Sequence, residues 1–103
     1  MNVIALRSLR EFWTIYPEAE SALRDWNKLA RSVDPNHFAD LKTTFGSVDI
    51  ARAKDRTVIF IFDVGGNKYR VVTRIDFEYR VLFILYVFTH IEYMLWNKEG
   101  RPL

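Results

Sequence analysis

The stretch from Thr57 to Asp76, TVIFIFDVGGNKYRVVTRID, decides the fold. Its first part, Thr57 to Val64, is rich in β-branched and aromatic residues and apolar on both faces, which predicts a strand buried on both sides. Gly65-Gly66-Asn67 is a turn signal, and Lys68 to Asp76 follows as a second strand. The stretch therefore predicts a β-hairpin.

The chain before this hairpin predicts three helices. Apolar residues recur at helical spacing over about 6 to 15, and Tyr16-Pro17 ends that helix. Pro17 also suits the first position of a second helix, which fades near Ser32. Asp34-Pro35 predicts the cap and first position of a short third helix, which ends at Gly46.

The remaining segments complete the sheet. Ser47 to Arg52 is a candidate edge strand, Asn2 to Ala5 is a candidate initial strand, and Val81 to Thr89 predicts a strand after the polar link Phe77 to Arg80. A final short helix is predicted from about His90 to Lys98. Together these segments predict an α+β domain, with helices packed on one face of a mainly antiparallel sheet of about four strands.

Composition limits the class of protein. A length of 103 residues suits one domain, 1–103, and 50% hydrophobic residues provide one core. Cysteine is absent, which excludes disulfides and thiolate metal sites and suits a reducing cytoplasm. We see no secretory signal, and the longest apolar run, Val81 to Phe88, is short for a bilayer span. We therefore expect a soluble, cytoplasmic protein without a membrane partner.

Positive charge is concentrated in the second half of the chain. The formal net charge is only +2, but residues 52 to 74 contain six basic side chains against Asp55 and Asp63. This zone, which includes Arg52 and Arg56, suits a phosphate-bearing partner. A solvated sheet edge is the alternative, and charge alone does not separate the two.

Side chains alternate along the second hairpin strand. One face holds Lys68, Arg70, Val72 and Arg74, whereas the other, which we expect to be core, holds Asn67, Tyr69, Val71, Thr73 and Ile75. Cations at alternate positions can follow a nucleic-acid backbone or hold one phosphate as it gains charge. The alternative is a solvated face whose long side chains cover Val72.

A histidine and a tyrosine follow the last strand. His90 can exchange a proton with a ribose hydroxyl or a leaving oxygen, since histidine titrates nearest neutral pH. Tyr93 can stack on a base or bond a phosphate. The alternative is a histidine that caps a strand end and a tyrosine in the core. His37 is expected at the surface. With no HExxH, phosphate-loop, dinucleotide or nucleophile-elbow motif, we expect neither a metal nor a cofactor.

Two separated motifs resemble the HigB family of toxins within the RelE-like group. Phe62 to Val72 reads FDVGGNKYRVV and Thr89 to Tyr93 reads THIEY, where the family typically has FNIGGNKYRLV and THxEYD. Leu9 to Phe12, Tyr16 to Glu20 and the region around Asp40-Leu41-Lys42 are similar too. The resemblance therefore covers nearly the whole chain.

The resemblance implies a RelE-like toxin of a type II toxin–antitoxin system. Such a toxin is an mRNA interferase that cuts messenger RNA on the ribosome without metal, by attack of a ribose 2′-hydroxyl on the neighbouring phosphate. Its partners would be a cognate helix-turn-helix antitoxin and ribosome-bound mRNA, with operator DNA reached only through the antitoxin.

The resemblance also implies roles for residues of the two motifs. Lys68 and Arg70 would hold the scissile phosphate, Asn67 would shape the turn, His90 would be an acid or base, and Tyr93 would stack or hydrogen-bond. Three further candidate phosphate contacts, Arg74, Arg52 and Arg56, come from the strand pattern and the basic zone rather than from the family.

Four positions depart from the family pattern. Asp63 stands for the usual Asn, Leu85 for a frequent Arg, Phe88 for a common Gly, and Met94 for Asp. The changes at Asp63 and Leu85 favour an alternative, a catalytically weakened RelE-like domain that binds antitoxin and RNA without cutting. A ParE-like toxin acting on gyrase is a third hypothesis, and the two motifs favour it least.

Overall fold

The computed structural model describes residues 1–103 and has the predicted α+β architecture. Its elements are β1 (Asn2–Ile4), α1 (Leu6–Ile15), a 3-10 turn (Pro17–Ala19), α2 (Glu20–Ser32), α3 (Phe38–Thr44), β2 (Asp49–Arg52), β3 (Val58–Val64), β4 (Tyr69–Asp76), β5 (Val81–Thr89) and α4 (His90–Lys98). None of the helices combines the length and apolar character that a bilayer crossing requires.

All five strands belong to one sheet, in the order β1-β5-β4-β3-β2. Neighbouring strands are antiparallel except β1, which runs parallel to β5. The sheet has five strands rather than about four, because both short candidate strands pair. A bulge in β5 leaves Leu85 without a partner, since Val72 lies opposite Tyr86 and Thr73 opposite Ile84.

The predicted hairpin connects β3 and β4. Val64 and Tyr69 form its last pair, and Gly65 and Gly66 follow with φ of 66° and 69°. This is the left-handed region, which glycine enters without the steric cost that a Cβ imposes. The two glycines therefore allow the chain to reverse and bring β4 back beside β3.

The N-terminal helices cover one face of the sheet, as predicted. Leu9 of α1, Leu23 and Trp26 of α2 and Leu41 of α3 join Phe62 in a core of 17 buried residues. Aromatic rings fill much of this layer. Trp26, for example, meets Phe62 edge to face at 5.2 Å.

Helix α4 covers part of the opposite face. Its Trp96 packs with Ile59, Ile61 and Val72 in a second cluster of five buried residues that also includes Ala53. Val72 is fully buried there, so the alternative of a solvated face whose long side chains alone cover Val72 is wrong. The strand face that carries the predicted cations is therefore partly a second core, and its polar residues lie around the rim of that core.

Two helix starts differ from the sequence prediction. The chain makes a 3-10 turn at Pro17–Ala19 before α2 begins. His37, not Asp34, precedes the first residue of α3, because the Asp34 carboxylate pairs instead with the N-terminal ammonium of Met1 at 3.2 Å. This ion pair helps to hold β1 beside the end of α2.

Candidate functional site

The first turn of α4 is fixed by a capping box at the end of β5. The Thr89 hydroxyl accepts a hydrogen bond from the Glu92 backbone N–H at 3.2 Å, and the Glu92 carboxylate accepts one from the Thr89 N–H at 2.7 Å. The His90 N–H, in turn, donates to the Lys68 carbonyl at 2.9 Å. These bonds place the imidazole of His90 beside the hairpin turn.

Arg70 reaches this point from β4 and is almost completely buried, with 7% of its surface exposed. Its Nη1 donates to the carbonyl oxygens of Asn67 at 3.2 Å and Tyr69 at 3.1 Å. Its Nη2 donates to Asn67 Oδ1 at 2.5 Å and lies 3.3 Å from His90 Nδ1. The two terminal nitrogens carry four N–H groups, so every one of them has a partner inside the protein.

Asp63 balances the charge of Arg70. The two residues lie opposite each other on β3 and β4, and Arg70 Nε is 2.9 Å from Asp63 Oδ1. The guanidinium also lies 5.5 Å from the centre of the Tyr93 ring. A buried cation needs such compensation. Asp63 is therefore the counterion of Arg70 rather than an uncompensated negative charge at a phosphate site.

Tyr93 is half-buried between charged groups. Burial raises the pKa of its phenol, the positive charge of Arg101 opposes that rise, and Asp49 reinforces it, with smaller effects from Arg70 and Asp63. The phenol therefore keeps its proton at neutral pH and can donate a hydrogen bond.

An aromatic cluster lies next to Arg70 and His90. Phe88, which pairs with Arg70 across the two strands, stacks on Tyr86 at 5.3 Å and 20°. It also meets Trp96 at 5.3 Å. Phe88 and Tyr86 are only partly buried, so the site borders a partly exposed aromatic surface.

Lys68 is the free cation at this end of the sheet. It lies in the hairpin turn, its side chain is exposed, and it takes part in none of the ion pairs of the protein. Its carbonyl oxygen accepts the His90 N–H, so Lys68 and His90 are neighbouring residues where the hairpin turn meets the start of α4. An anion could bind the Lys68 ammonium without displacing an internal partner.

The structure thus brings together five of the predicted site residues, which are Asn67, Lys68, Arg70, His90 and Tyr93. The prediction that Asn67 lies on the opposite face from Arg70 is wrong, because Asn67 belongs to the turn and its side chain accepts a hydrogen bond from Arg70. This bond also ties the turn to the site.

The other three predicted phosphate contacts lie elsewhere. Arg74 is four residues along β4 from Arg70, roughly 13 Å away, and its guanidinium covers the Phe83 ring at 4.6 Å. Arg52 pairs with Val58 at the far end of β3, and its guanidinium donates to the Arg56 carbonyl at 3.0 Å. These arginines can extend a basic surface but do not reach the His90 site.

Sequence reasoning missed the structural roles of two charged residues near the site, Asp63 and Arg101. The sequence could have predicted the pairing of Asp63 with Arg70, because both residues are equally far from the hairpin turn. Arg101 carried no such signal: it reaches the surface because the C-terminal segment folds back, so that its side chain donates to Arg52 O at 2.8 Å and its carbonyl accepts from Lys54 N at 2.9 Å. Trp96 Nε1 anchors the same segment by donating to Pro102 O at 2.7 Å.

No other part of the molecule offers a comparable set of polar groups. Nowhere do three histidine, aspartate or glutamate side chains gather as metal ligands would. A groove of about 270 Å³ between α1 and α2 is lined by Leu6, Leu9, Arg10, Trp13, Arg24 and Asn27. It lies on the opposite side of the sheet from His90.

An α+β domain of this architecture, with polar groups gathered where the last strand meets the last helix, fits a RelE-like toxin. The family model for HigB toxins, described as the RelE-like toxic component of a toxin–antitoxin system, matches residues 19–95. The chain belongs to the HigB toxin family.

Curated relatives agree over most of the chain. The mRNA interferase HigB of Shigella flexneri and that of Escherichia coli O157:H7 are each 31% identical over 104 residues, covering 98% of this chain and 95% of the relative. The mRNA interferase HigB of Escherichia coli O6:H1 is 28% identical over 93 residues, 90% of this chain and 88% of the relative.

Proposed function

We propose that this protein is the toxin of a type II toxin–antitoxin system and cleaves messenger RNA on the ribosome. The observation that carries the proposal is that Lys68, an exposed lysine outside every ion pair, lies in the turn whose backbone receives the N–H of His90, while Arg70 contacts the His90 ring. The relatives, which are named mRNA interferases, support the same substrate. The site of action would be the cytoplasm, where translation takes place.

The proposed reaction needs no metal. The ribose 2′-oxygen forms a bond to the adjacent phosphorus while the bond from phosphorus to the 5′-oxygen breaks. Solvent water takes the proton of the 2′-hydroxyl and supplies one to the leaving 5′-oxygen, so the reaction neither consumes nor releases a net proton. The products are a 2′,3′-cyclic phosphate and a 5′-hydroxyl. The protein's task is to hold the phosphate and stabilise the negative charge that develops on it.

The residues divide this task between them. Lys68 provides a mobile positive charge for the phosphate, and His90 provides a polar nitrogen at the start of α4, where the helix dipole also favours an anion. Arg70, whose terminal N–H groups are all engaged, holds the site together rather than gripping the phosphate directly. Tyr93 and Phe88 provide aromatic surface beside the site for a base.

Growth and RNA ends test the proposal together. Induced expression should arrest growth, and mapping of RNA 5′ ends should show new cuts inside translated frames. Lys68→Ala should relieve both effects while the protein stays folded. Lys28→Ala, which removes another exposed lysine, on α2, is the matched control and should remain toxic. Toxicity in the Lys68 variant equal to wild type would place the site elsewhere.

Coexpression tests the partner. A helix-turn-helix antitoxin encoded beside this protein should copurify with it and restore growth, and any contact with operator DNA should depend on that antitoxin. A stable monomer that binds no such partner would contradict the toxin–antitoxin assignment of function.

A non-cleaving domain remains the second candidate, and Leu85 is the observation that favours it. Leu85 sits in the β5 bulge and packs against the second cluster, so it offers no charge where relatives of this family often have one. Asp63, in contrast, is the counterion of Arg70, so its negative charge does not favour the non-cleaving domain. Expression without a growth defect or new 5′ ends would favour this second candidate.

A further inference from the structure

The contact between Arg70 and His90 determines which nitrogen of the imidazole carries hydrogen. Arg70 Nη2 lies 3.3 Å from His90 Nδ1. A guanidinium has five N–H donors and no acceptor, so Nδ1 must be the acceptor in this bond. The hydrogen of the neutral ring then lies on Nε2. A doubly protonated ring would also carry hydrogen on Nε2.

Arg70 cannot easily turn away from this contact. Arg70 is held by the other three bonds from its terminal nitrogens to Asn67 and Tyr69, and by Asp63 at Nε. His90 is fixed through its backbone N–H to the Lys68 carbonyl. The guanidinium is thus held by groups on β3, the turn and β4, and its bond to Nδ1 orients the imidazole.

The other ring nitrogen of His90 is available to a ligand. Nδ1 is the only atom of the ring with a hydrogen-bond partner in the protein, and the side chain is partly exposed. The exposed ammonium of Lys68 belongs to the residue whose carbonyl receives the His90 N–H. An N–H donor and an exposed cation therefore belong to two residues that are joined through their backbones.

We infer that His90 acts on RNA as a hydrogen-bond donor from Nε2 to a phosphoryl oxygen, and that Arg70 is the positioning residue that makes it one. Building on the proposed cleavage function, this assigns His90 to stabilisation of charge on the phosphate and excludes it as the base that removes the 2′-hydroxyl proton. A base needs a free lone pair. Arg70 occupies the one on Nδ1, and Nε2 carries hydrogen in either charge state.

Two substitutions at His90 distinguish a histidine that acts as a hydrogen-bond donor from one that acts as a base. The side-chain amide nitrogen of His90→Gln lies near the position of Nε2, whereas that of His90→Asn lies near Nδ1. Neither amide can act as a base at neutral pH. If His90 is a donor, His90→Gln should cleave ribosome-bound mRNA within about tenfold of wild type, and His90→Asn should lose about a hundredfold or more, as loss of a transition-state donor typically does.

Equal loss of activity in the two His90 variants would overturn the inference. If His90→Gln is as inactive as His90→Asn, and both unfold at the temperature of the wild type, then the imidazole does something that an amide donor cannot replace. Absence of cleavage by the wild-type protein would instead contradict the proposed function, and the next measurement would still test the role of Arg70.

The tautomer itself can be measured without any activity. Long-range ¹⁵N–¹³C spectra of the imidazoles, recorded at about pH 8.5 where histidine is ordinarily neutral, distinguish hydrogen on Nε2 from hydrogen on Nδ1. A His37→Gln background leaves one histidine signal, since the chain has two histidines. Wild-type His90 should show hydrogen on Nε2, and hydrogen on Nδ1 would overturn the inference.

A charge-matched variant tests the role of Arg70 directly. Asp63→Asn with Arg70→Met removes the cation together with its counterion, so no buried charge is left alone. In this double variant the population with hydrogen on Nδ1 should rise, because nothing donates to that nitrogen. An unchanged tautomer would show that Arg70 does not set it. Arg70→Lys keeps a cationic donor and should restore part of the cleavage rate lost in Arg70→Met.

Discussion

The Arg70–Asp63 pair makes a quantitative prediction about stability. In Arg70→Met the carbonyl of Tyr69 loses a buried bond from a charged donor, which costs about 1.5 kcal/mol. Asp63 is left without its counterion. An unpaired charge that is fully buried would cost several kcal/mol of unfolding free energy. Because a quarter of the Asp63 side chain is exposed, we expect its unpaired charge to cost about 1.5 kcal/mol. The variant should therefore lose about 3 kcal/mol, or about 14 °C in Tm for a domain of this size.

A double-mutant cycle isolates the ion pair from the hydrogen bonds. Asp63→Asn alone should cost about 1 kcal/mol, and the double variant about 2 kcal/mol, because removing the counterion relieves part of the damage. The coupling energy would then be about 2 kcal/mol, measured by urea unfolding of the four proteins. A double variant less stable than Arg70→Met, or effects that add within about 0.5 kcal/mol, would refute the idea that Asp63 compensates Arg70.

Three further predictions concern the elements around the site. Gly65→Ala should destabilise the protein by more than Gly66→Ala in urea unfolding: both have positive φ, but a Cβ at Gly65 would lie 3.0 Å from the Tyr69 ring, whereas none is crowded at Gly66. Thr89→Ala should cost about 1 kcal/mol of unfolding free energy through loss of the α4 cap, and it should weaken cleavage because His90 lies in the first turn of that helix. A variant as stable as wild type would contradict the role of the cap. Burial raises the pKa of both Tyr69 and Tyr93, so their contribution to stability should be complete below pH ~10 and lost as pH rises through their folded values. Tyrosinate absorbance that shows all tyrosines ionising together in the folded protein would contradict this.

The helices and strands, and their order along the chain, were largely predictable because the sequence signals are local. Val81–Thr89 and His90–Lys98 have the predicted bounds, since an apolar run and a capping sequence mark them directly. The start of α3 was not predictable, because the Asp34 carboxylate that resembles a cap is taken by the chain terminus. That contact joins residues far apart in sequence, and no local pattern reports it.

The candidate site was predictable as a group of residues, but not in its internal arrangement. Alternation along the predicted strand from Lys68 to Asp76 placed Lys68 and Arg70 on one face, yet it could not tell that Lys68 lies in the turn and is exposed whereas Arg70 is buried beneath α4. That distinction depends on the register of β4 against β5 and on the packing of α4, which are tertiary properties. The same register makes Arg70 a neighbour of Phe88 and keeps Arg74 outside the site.

The chemistry of the RNA ends tests the central claim most directly. Purified protein incubated with ribosomes translating a defined mRNA should produce fragments with 5′-hydroxyl and 2′,3′-cyclic phosphate ends, and Lys68→Ala should reduce their amount about a hundredfold. The same mRNA without ribosomes should stay intact. Fragments with 5′-phosphate ends, or no fragments from an active translation mixture, would contradict cleavage by 2′-hydroxyl attack at the Lys68–His90 site.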